Sequence, residues 1–404
     1  MTAQSILIIT IPPLTGGVPD KARILVNHLR DLGHEVTVAH YATLSDYADL
    51  VVPSWQSFSG RLPGLREGTC FVDFPCVSVG CRFPELEFTY YRSTPQWRTL
   101  IEKFDRHIVI TGTVLTAHTI AKMQLPHLVW CASTMIEDRI DRRRAMKLPR
   151  HLFDCLLVSP VLRVMEKTVL NGSGHFMGVS NYTRRTLVAA GGKNDRVSVT
   201  PIPIDLERFQ PPTTSVPTGV IGFAGRPEDD RKNLPLLFEA LKLLRDQGKD
   251  ISLKLTGDPS PQLQDEIMRQ GLSDHITWTG WLEQRDLPAF YQGLDVFMIP
   301  SFQEGLNIAG LQAMASGVPV ISTRCGGPED YVIDNETGRL IGFDASEMAD
   351  AVTALIEDRA TRDQFGANAR IFVENNYSHA RFAACLAESW GEVWGDRPEA
   401  VTPQ

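Results

Sequence analysis

Short apolar runs recur along the chain, each too brief for a helix and too apolar for a half-exposed strand. Ser5 to Thr10, Glu35 to Ala39, Ile108 to Thr111 and Leu128 to Cys131 form one set; Val220 to Ala224, Ser252 to Thr256, His275 to Thr277, Val296 to Ile299 and Val318 to Ser322 form a second. Such runs predict strands buried on both faces. Between them lie segments with apolar residues three and four apart, such as Leu237, Ala240, Leu241 and Leu244 after Pro235, which predict helices with one buried face. Strand and helix alternating throughout predict two parallel sheets, each doubly wound with helices on both sides.

A proline-rich stretch separates the sets. Pro201, Pro203, Pro211, Pro212 and Pro217 predict a linker over 204–218, between a domain at 1–203 and one at 219–368. The remainder, 369–404, carries a last helical stretch from Ala369 to Trp394, in which Trp390 and Trp394 share a face. A length of 404 residues suits two domains better than one core. Net charge of −8 argues against a protein built for nucleic acid. Seven cysteines, an odd number with no Cys-x-x-Cys pair, argue for reduced thiols in the cytoplasm and against zinc. SILIIT lacks a basic flank and runs into Pro12-Pro13, so it does not read as a signal peptide. No apolar run reaches the ~18 residues of a membrane span.

The chemistry concentrates in Ser301 to Thr323, SFQEGLNIAGLQAMASGVPVIST. Asn307 suits a helix N-cap, Ile308, Leu311 and Ala315 recur on one face, and Gly317 followed by Pro319 ends the helix. Together with the flanking strands this makes a βαβ unit, whose ligands bind beyond the carboxyl ends of the strands. There the free N–H groups of Leu306, Asn307 and Ile308 would hold an anion such as a diphosphate. Glu304 accepts hydrogen bonds and suits sugar hydroxyls; Gln312, after seven intervening residues, donates and accepts, as a ribose requires. The spacing alone is equally that of a solvated loop carboxylate and a polar helix flank, because the fold does not fix function. A second cluster, GFAGRPEDDRKN, carries Arg226, Arg231 and Lys232 beyond the first strand of the second set. An arginine there can clamp phosphate bidentately and a lysine can act as a point charge.

The 301–323 segment resembles the signature of the retaining GT-B glycosyltransferases of family 4, with two glutamates separated by seven intervening residues before an Ala-Met-Ala-x-Gly run. Glu304 matches the first, Ala313 to Gly317 match the run, and Gln312 replaces the second. LIITIPPLTGGVPDKARILVNHLRDLGHEVTVA, MGVSNYTRRTLVAAG, VTPIPIDLERFQP, FAGRPEDDRKN, LTGD, WTGWL and CGGPEDYVIDNETGRLI follow in the family's order. The resemblance implies a GT-B fold, two Rossmann-like α/β domains facing across a cleft, with the last helix crossing back to the first domain. It implies a nucleotide diphosphate sugar of UDP or GDP type as donor substrate, a sugar, lipid or natural-product hydroxyl as acceptor, and hexosyl transfer with retention. Arg226 and Lys232 are expected to neutralise the leaving diphosphate, Glu304 to hold the donor sugar, and Gly16-Gly17 to bring backbone close to the donor phosphate. The loop is one residue longer than the family's commonest form, so Arg231 could take the lysine's place. No Asp-x-Asp motif is present and fixed cations fill that role, so neither metal nor cofactor is expected. A phosphate oxygen is expected to take the acceptor's proton, which leaves no role for a protein nucleophile. Gly16-Gly17 is not a GxGxxG fingerprint, which argues against NAD or FAD.

Two departures stand out. The histidine that many members carry after the LVWCAST strand falls on Cys131, with Ala132 the other candidate, and a second is missing from ITGTV; His127 lies at the wrong end of its strand and His118 reads as a structural histidine in a helix. These losses, with Gln312, support a second reading: a catalytically weakened relative that binds a nucleotide sugar as partner or sensor. The other departure is ASTMIEDRIDRRRAMKLPRH, where Arg139, Arg142, Arg143, Arg144, Lys147 and Arg150 cluster. They read as a solvated helix face, or as contact with an anionic acceptor or the acidic inner face of a membrane by an otherwise cytoplasmic protein.

Overall fold

The computed structural model describes residues 3–14, 16–144, 146–213 and 219–398, apart from the side chains of Asp141 and Arg144. Residues 214–218 of the expected linker and 399–404 of the C-terminal segment lie outside this set. The chain forms two units: residues up to Thr200 together with those from Ala384 onward, and Pro201–Ala383.

The first unit is built on β1 (Ser5–Thr10), β2 (Glu35–Tyr41), β3 (Leu65–Cys70), β4 (Phe74–Val79), β5 (Arg106–Thr111), β6 (His127–Cys131), β7 (Gly174–Gly178) and β8 (Val197–Val199). They lie in the order β3-β4-β2-β1-β5-β6-β7-β8, and every pair is parallel except β3 with β4. Ile6, Leu7 and Ile8 have no exposed surface, as expected of a strand covered on both faces. On one face of the sheet, Leu7, Ile9, Val109 and Val129 pack with Leu100, Ile120 and Leu187.

The second unit holds β9 (Val220–Phe223), β10 (Ser252–Leu255), β11 (Ile276–Trp278), β12 (Val296–Ile299), β13 (Val320–Thr323) and β14 (Gly338–Ile341), all parallel, in the order β11-β10-β9-β12-β13-β14. The strand order reverses between β9 and β12. Ligands of such sheets bind outside the carboxyl ends of the strands at that reversal. In the first sheet the reversal falls between β1 and β5.

Three features differ from the sequence reading. Ile204 and Phe209, in the expected linker, are buried; the Ile204 N–H donates to Tyr377 O (2.8 Å) and Arg370 Nη2 to Leu206 O (3.2 Å), so apolar anchors pin this stretch to the second unit. The helical stretch expected from Ala369 breaks at Tyr377 into Arg359–Asn376 and His379–Trp394, with Ser378 Oγ accepting the Arg381 N–H at the new start. Five strands, β3, β4, β7, β8 and β14, escaped the pattern. Trp390 and Trp394 do share a face, 4.5 Å apart between ring centroids, with the Arg106 guanidinium over both. Among the described residues, no helix is long and apolar enough to cross a membrane.

Candidate functional site

The loops after β9 and β12 meet at the strand reversal of the second sheet. After β12, Ser301 to Asn307 leads into the helix Ile308–Ala315. Asn307 takes a left-handed conformation (φ 68°) and its Oδ1 caps the helix by accepting the Gly310 N–H at 3.0 Å. Gly317, also at positive φ, closes the other end. The loop is strapped to the segment after β13: the Glu304 N–H donates to Cys325 O and the Gly327 N–H to Glu304 O, both at 2.8 Å. Gly327 must be glycine here, because a Cβ would stand 2.4 Å from Gly305 O.

Glu304 is the hub. Its Oε1 accepts from Lys232 Nζ (2.7 Å), Ser301 Oγ (2.7 Å) and Asn307 Nδ2 (2.8 Å), and none of these bonds goes to Oε2. Burial alone would push this carboxyl up; the Lys232 charge and the three hydrogen bonds outweigh it and hold the group below its ordinary value. A carboxylate fixed on one oxygen presents the other for hydroxyl groups.

The β9 loop separates its three cations. Lys232 pairs with Glu304, whereas Arg231 forks onto Asp229 through Nε (3.0 Å) and Nη2 (2.7 Å). Arg226 stays open: 63% of its side chain is exposed, 3.9 Å from Asp229. Of the two candidate cations, Lys232 is thus the one that lies beside Glu304, and Arg231 is turned to Asp229. The Phe302 N–H donates to Arg231 O (2.8 Å), which ties the two loops together. Gln312 is 9% exposed and its Oε1 accepts the hydroxyl of buried Tyr291 at 3.0 Å, leaving its amide N–H groups as the part that can address a ligand. Leu306 is buried and Ile308 half-buried, so they offer main chain rather than side chain.

Gly16 and Gly17 belong to the first unit, beyond β1. Gly16 adopts φ 98°, ψ −172°, a conformation open to glycine, and a Cβ at either residue would meet nothing within 4 Å. Below this turn the helix Gly17–Asp31 carries a residue that the sequence reading passed over. Lys21 is 2% exposed; its Nζ donates to Thr111 O (3.3 Å) and Trp130 O (3.4 Å), at the carboxyl ends of β5 and β6, and lies over the Trp130 ring. Burial lowers its amine to about 8. The signal was available: Lys21, Leu25 and Leu29 fall on one helical stripe, and a lysine in that register has to be accommodated inside. Cys131 is fully buried, and burial pushes its thiol up to about 12. His118 Nδ1 bonds Tyr91 O (2.9 Å) and His127 Nδ1 bonds Leu125 O (2.8 Å), both structural.

Residues 15–208 match the model of Glycosyltransferase Family 4, and 218–358 that of Glycosyl transferases group 1. A D-inositol 3-phosphate glycosyltransferase of Pseudarthrobacter chlorophenolicus is 31% identical over 56% of this chain and 58% of its own. A GDP-mannose-dependent alpha-(1-6)-phosphatidylinositol monomannoside mannosyltransferase of Mycobacterium tuberculosis is 31% identical over 57% of this chain and 64% of its own. The chain thus spans less than two thirds of the length of these relatives. Among solved structures, Anabaena HepE with UDP superposes with a TM-score of 0.72 at 17% identity, covering 96% of this chain and 100% of that one. Sucrose-phosphate synthase of Thermosynechococcus elongatus gives 0.71 at 19%, covering 97% and 99%. With both halves matched in order and the two sheets in place, the chain belongs to the group 1 glycosyltransferases of family 4, on the GT-B fold.

Proposed function

We propose that the protein transfers a hexose from a nucleotide diphosphate sugar, of UDP or GDP type, to a hydroxyl acceptor, with retention and without a metal. The observation that carries this reading is the Lys232–Glu304 pair, set between an exposed Arg226 and the capped start of a helix at the strand reversal. In this reading the diphosphate lies against Arg226, Lys232 and the N–H groups at Leu306 to Ile308. Fixed cations and dipoles aimed at a departing diphosphate stabilise charge exactly when it develops, so they lower the barrier rather than merely tightening binding. Glu304 Oε2 takes hydroxyls of the donor sugar, and the Gln312 amide faces the ribose. The bond from the anomeric carbon to the phosphate oxygen breaks while the acceptor oxygen bonds on the same face, and the acceptor proton passes to the leaving phosphate. The GDP-mannose dependence in the mycobacterial relative's name supports this class of donor.

A melting-temperature screen against UDP, GDP, ADP and dTDP and their sugars tests the reading. A nucleotide present at a hundredfold its Kd adds about 2.7 kcal/mol to the native state, so one of the four must give a clear rise. Arg226→Ala should then cut kcat/KM by about 10²–10³ while changing stability by about 0.5 kcal/mol or less, as is usual at exposed positions. Flat melting curves throughout, or near-normal turnover in Arg226→Ala, refute the diphosphate assignment.

A further inference from the structure

We infer that the helical segment 135–167 of the first unit is a docking surface for an anionic lipid bilayer, and hence that the acceptor of the proposed transfer is lipid-borne. The inference rests on an apolar face and a basic rim that the fold places side by side.

The segment comprises helices Met135–Arg144 and Leu148–Phe153 and most of Ser159–Leu170, the last two joined by a π-helical turn at Asp154–Val158. Its inner side is an ordinary core, where Leu162, Met165 and Val158 pack with Leu115 and Met135. Its outer side is not an ordinary surface. Leu148 is 71% exposed and Leu156 78%, and Leu152, Phe153, Leu157 and Val164 are exposed beside them. The helix Leu148–Phe153 has no buried residue at all. Scattered exposed leucines need no explanation, but six large apolar side chains gathered within 17 residues do.

The basic residues divide into two groups. Arg139 is turned inward, paired with Asp154 and Glu87, and Arg143 binds Asp154 (2.9 Å) and Ser159 Oγ (2.7 Å). These two brace the first helix against the turn and so hold the apolar side chains outward; they do not reach a partner. Lys147 and Arg150 are exposed. With Arg142, Met146, Glu87 and the edge of the ion-paired Arg139 they line a hollow of about 570 Å³ next to the apolar face, in which the exposed Lys147 and Arg150 can meet a lipid phosphate headgroup. Residues 135–167 contain eight Lys and Arg against five Asp and Glu, in a chain of net charge −8.

This arrangement decides the occupant. Apolar side chains that enter the acyl boundary, ringed by Lys and Arg that meet acidic headgroups, describe a helical segment lying in the membrane interface. A second copy meeting the same face across a twofold axis would set Lys147 and Arg150 against their own like charges. An acidic bilayer satisfies both components at once.

Co-sedimentation of the full chain with vesicles tests this. Vesicles of phosphatidylcholine with phosphatidylglycerol should bind the protein at least tenfold more tightly than phosphatidylcholine alone. The double variants Leu152→Asp/Leu156→Asp and Lys147→Glu/Arg150→Glu should each lose at least tenfold, with the nucleotide-induced rise in melting temperature unchanged. The inference is overturned if the unmodified protein binds neither vesicle, or if both variants bind as it does. It is equally overturned if the leucine variant only converts an oligomer to a monomer in sedimentation velocity, since the face then serves a second copy. Vesicle binding without any nucleotide response supports the docking surface and counts against the proposed transfer alone.

Discussion

Replacing Lys232 by methionine should strand the Glu304 carboxylate, and the structure allows the consequence to be worked out. The two groups are 2.7 Å apart, with side chains 17% and 11% exposed, so solvent screens them little. Removing one partner of such a pair typically costs about 3–5 kcal/mol. Ser301 and Asn307 still donate to the same oxygen in the variant, which favours the lower end. For an unfolding unit of this size, about 3 kcal/mol corresponds to roughly 6–12 °C in melting temperature. The pH dependence should invert as well. In the unmodified protein the Glu304 carboxyl sits below its ordinary 4.5, so its contribution is present above that value and is lost as pH falls through the folded value. In Lys232→Met the upward push of burial is no longer offset by the ammonium, and the carboxyl rises above 4.5. The variant should then gain stability as the pH falls from neutrality through the raised folded value toward 4.5. Calorimetry across that range reads both effects. Lys232→Met/Glu304→Gln removes both charges while keeping the acceptor for Ser301 and Asn307, so it should return to within about 1 kcal/mol of the parent without regaining turnover. A coupling energy below about 0.5 kcal/mol, within ordinary additivity, would falsify the claim that the two residues form one electrostatic unit.

Two further substitutions test groups that the same reasoning singles out. Lys21→Met should stabilise the protein at pH 7 by about 3 kcal/mol, the equivalent of a fall from 10.5 to about 8. Because the folded value is the lower one, stability of the unmodified protein rises between pH 8 and 10.5 and the gap closes; urea titrations that show equal stability at pH 7 contradict this. Gln312→Glu keeps an acceptor for Tyr291 but brings a second carboxylate to the proposed nucleotide pocket, so nucleotide affinity measured by calorimetry should fall several-fold; an unchanged affinity would mark the glutamine as a neutral exchange.

How much was legible in the sequence depended on what each residue's role required. β12 was readable to the residue, since all four positions of Val296–Ile299 are buried and therefore apolar. β3 was not: in Leu65–Cys70 only Cys70 is buried, and the strand exists through antiparallel pairing with β4 rather than through any pattern of its own. β14 reads as GRLI with both middle residues half-buried, too weak a run to separate from a loop. In the site, Glu304, Asn307 and Lys232 carried local signals, a cap or a cation after a strand. Ser301 carried none, because its value lies in meeting a carboxylate three residues on. Tyr291 and Tyr331 carried none either: the first reaches Gln312 and the second donates to Asn307 O (3.0 Å), contacts created by the packing of separate segments.

The two lysines show why residue type and position are not enough to assign a role. Lys21 and Lys232 each lie at the strand reversal of a parallel sheet, and each is largely withdrawn from solvent. Lys21 meets two carbonyls and an indole face, which partly satisfy its N–H groups but cannot neutralise its charge. Lys232 meets a carboxylate that is itself fixed by two further donors. Truncating the first relieves a buried charge, whereas truncating the second creates one. The same Lys→Met change should therefore move stability in opposite directions at pH 7, with the sign set by the partner and not by the lysine.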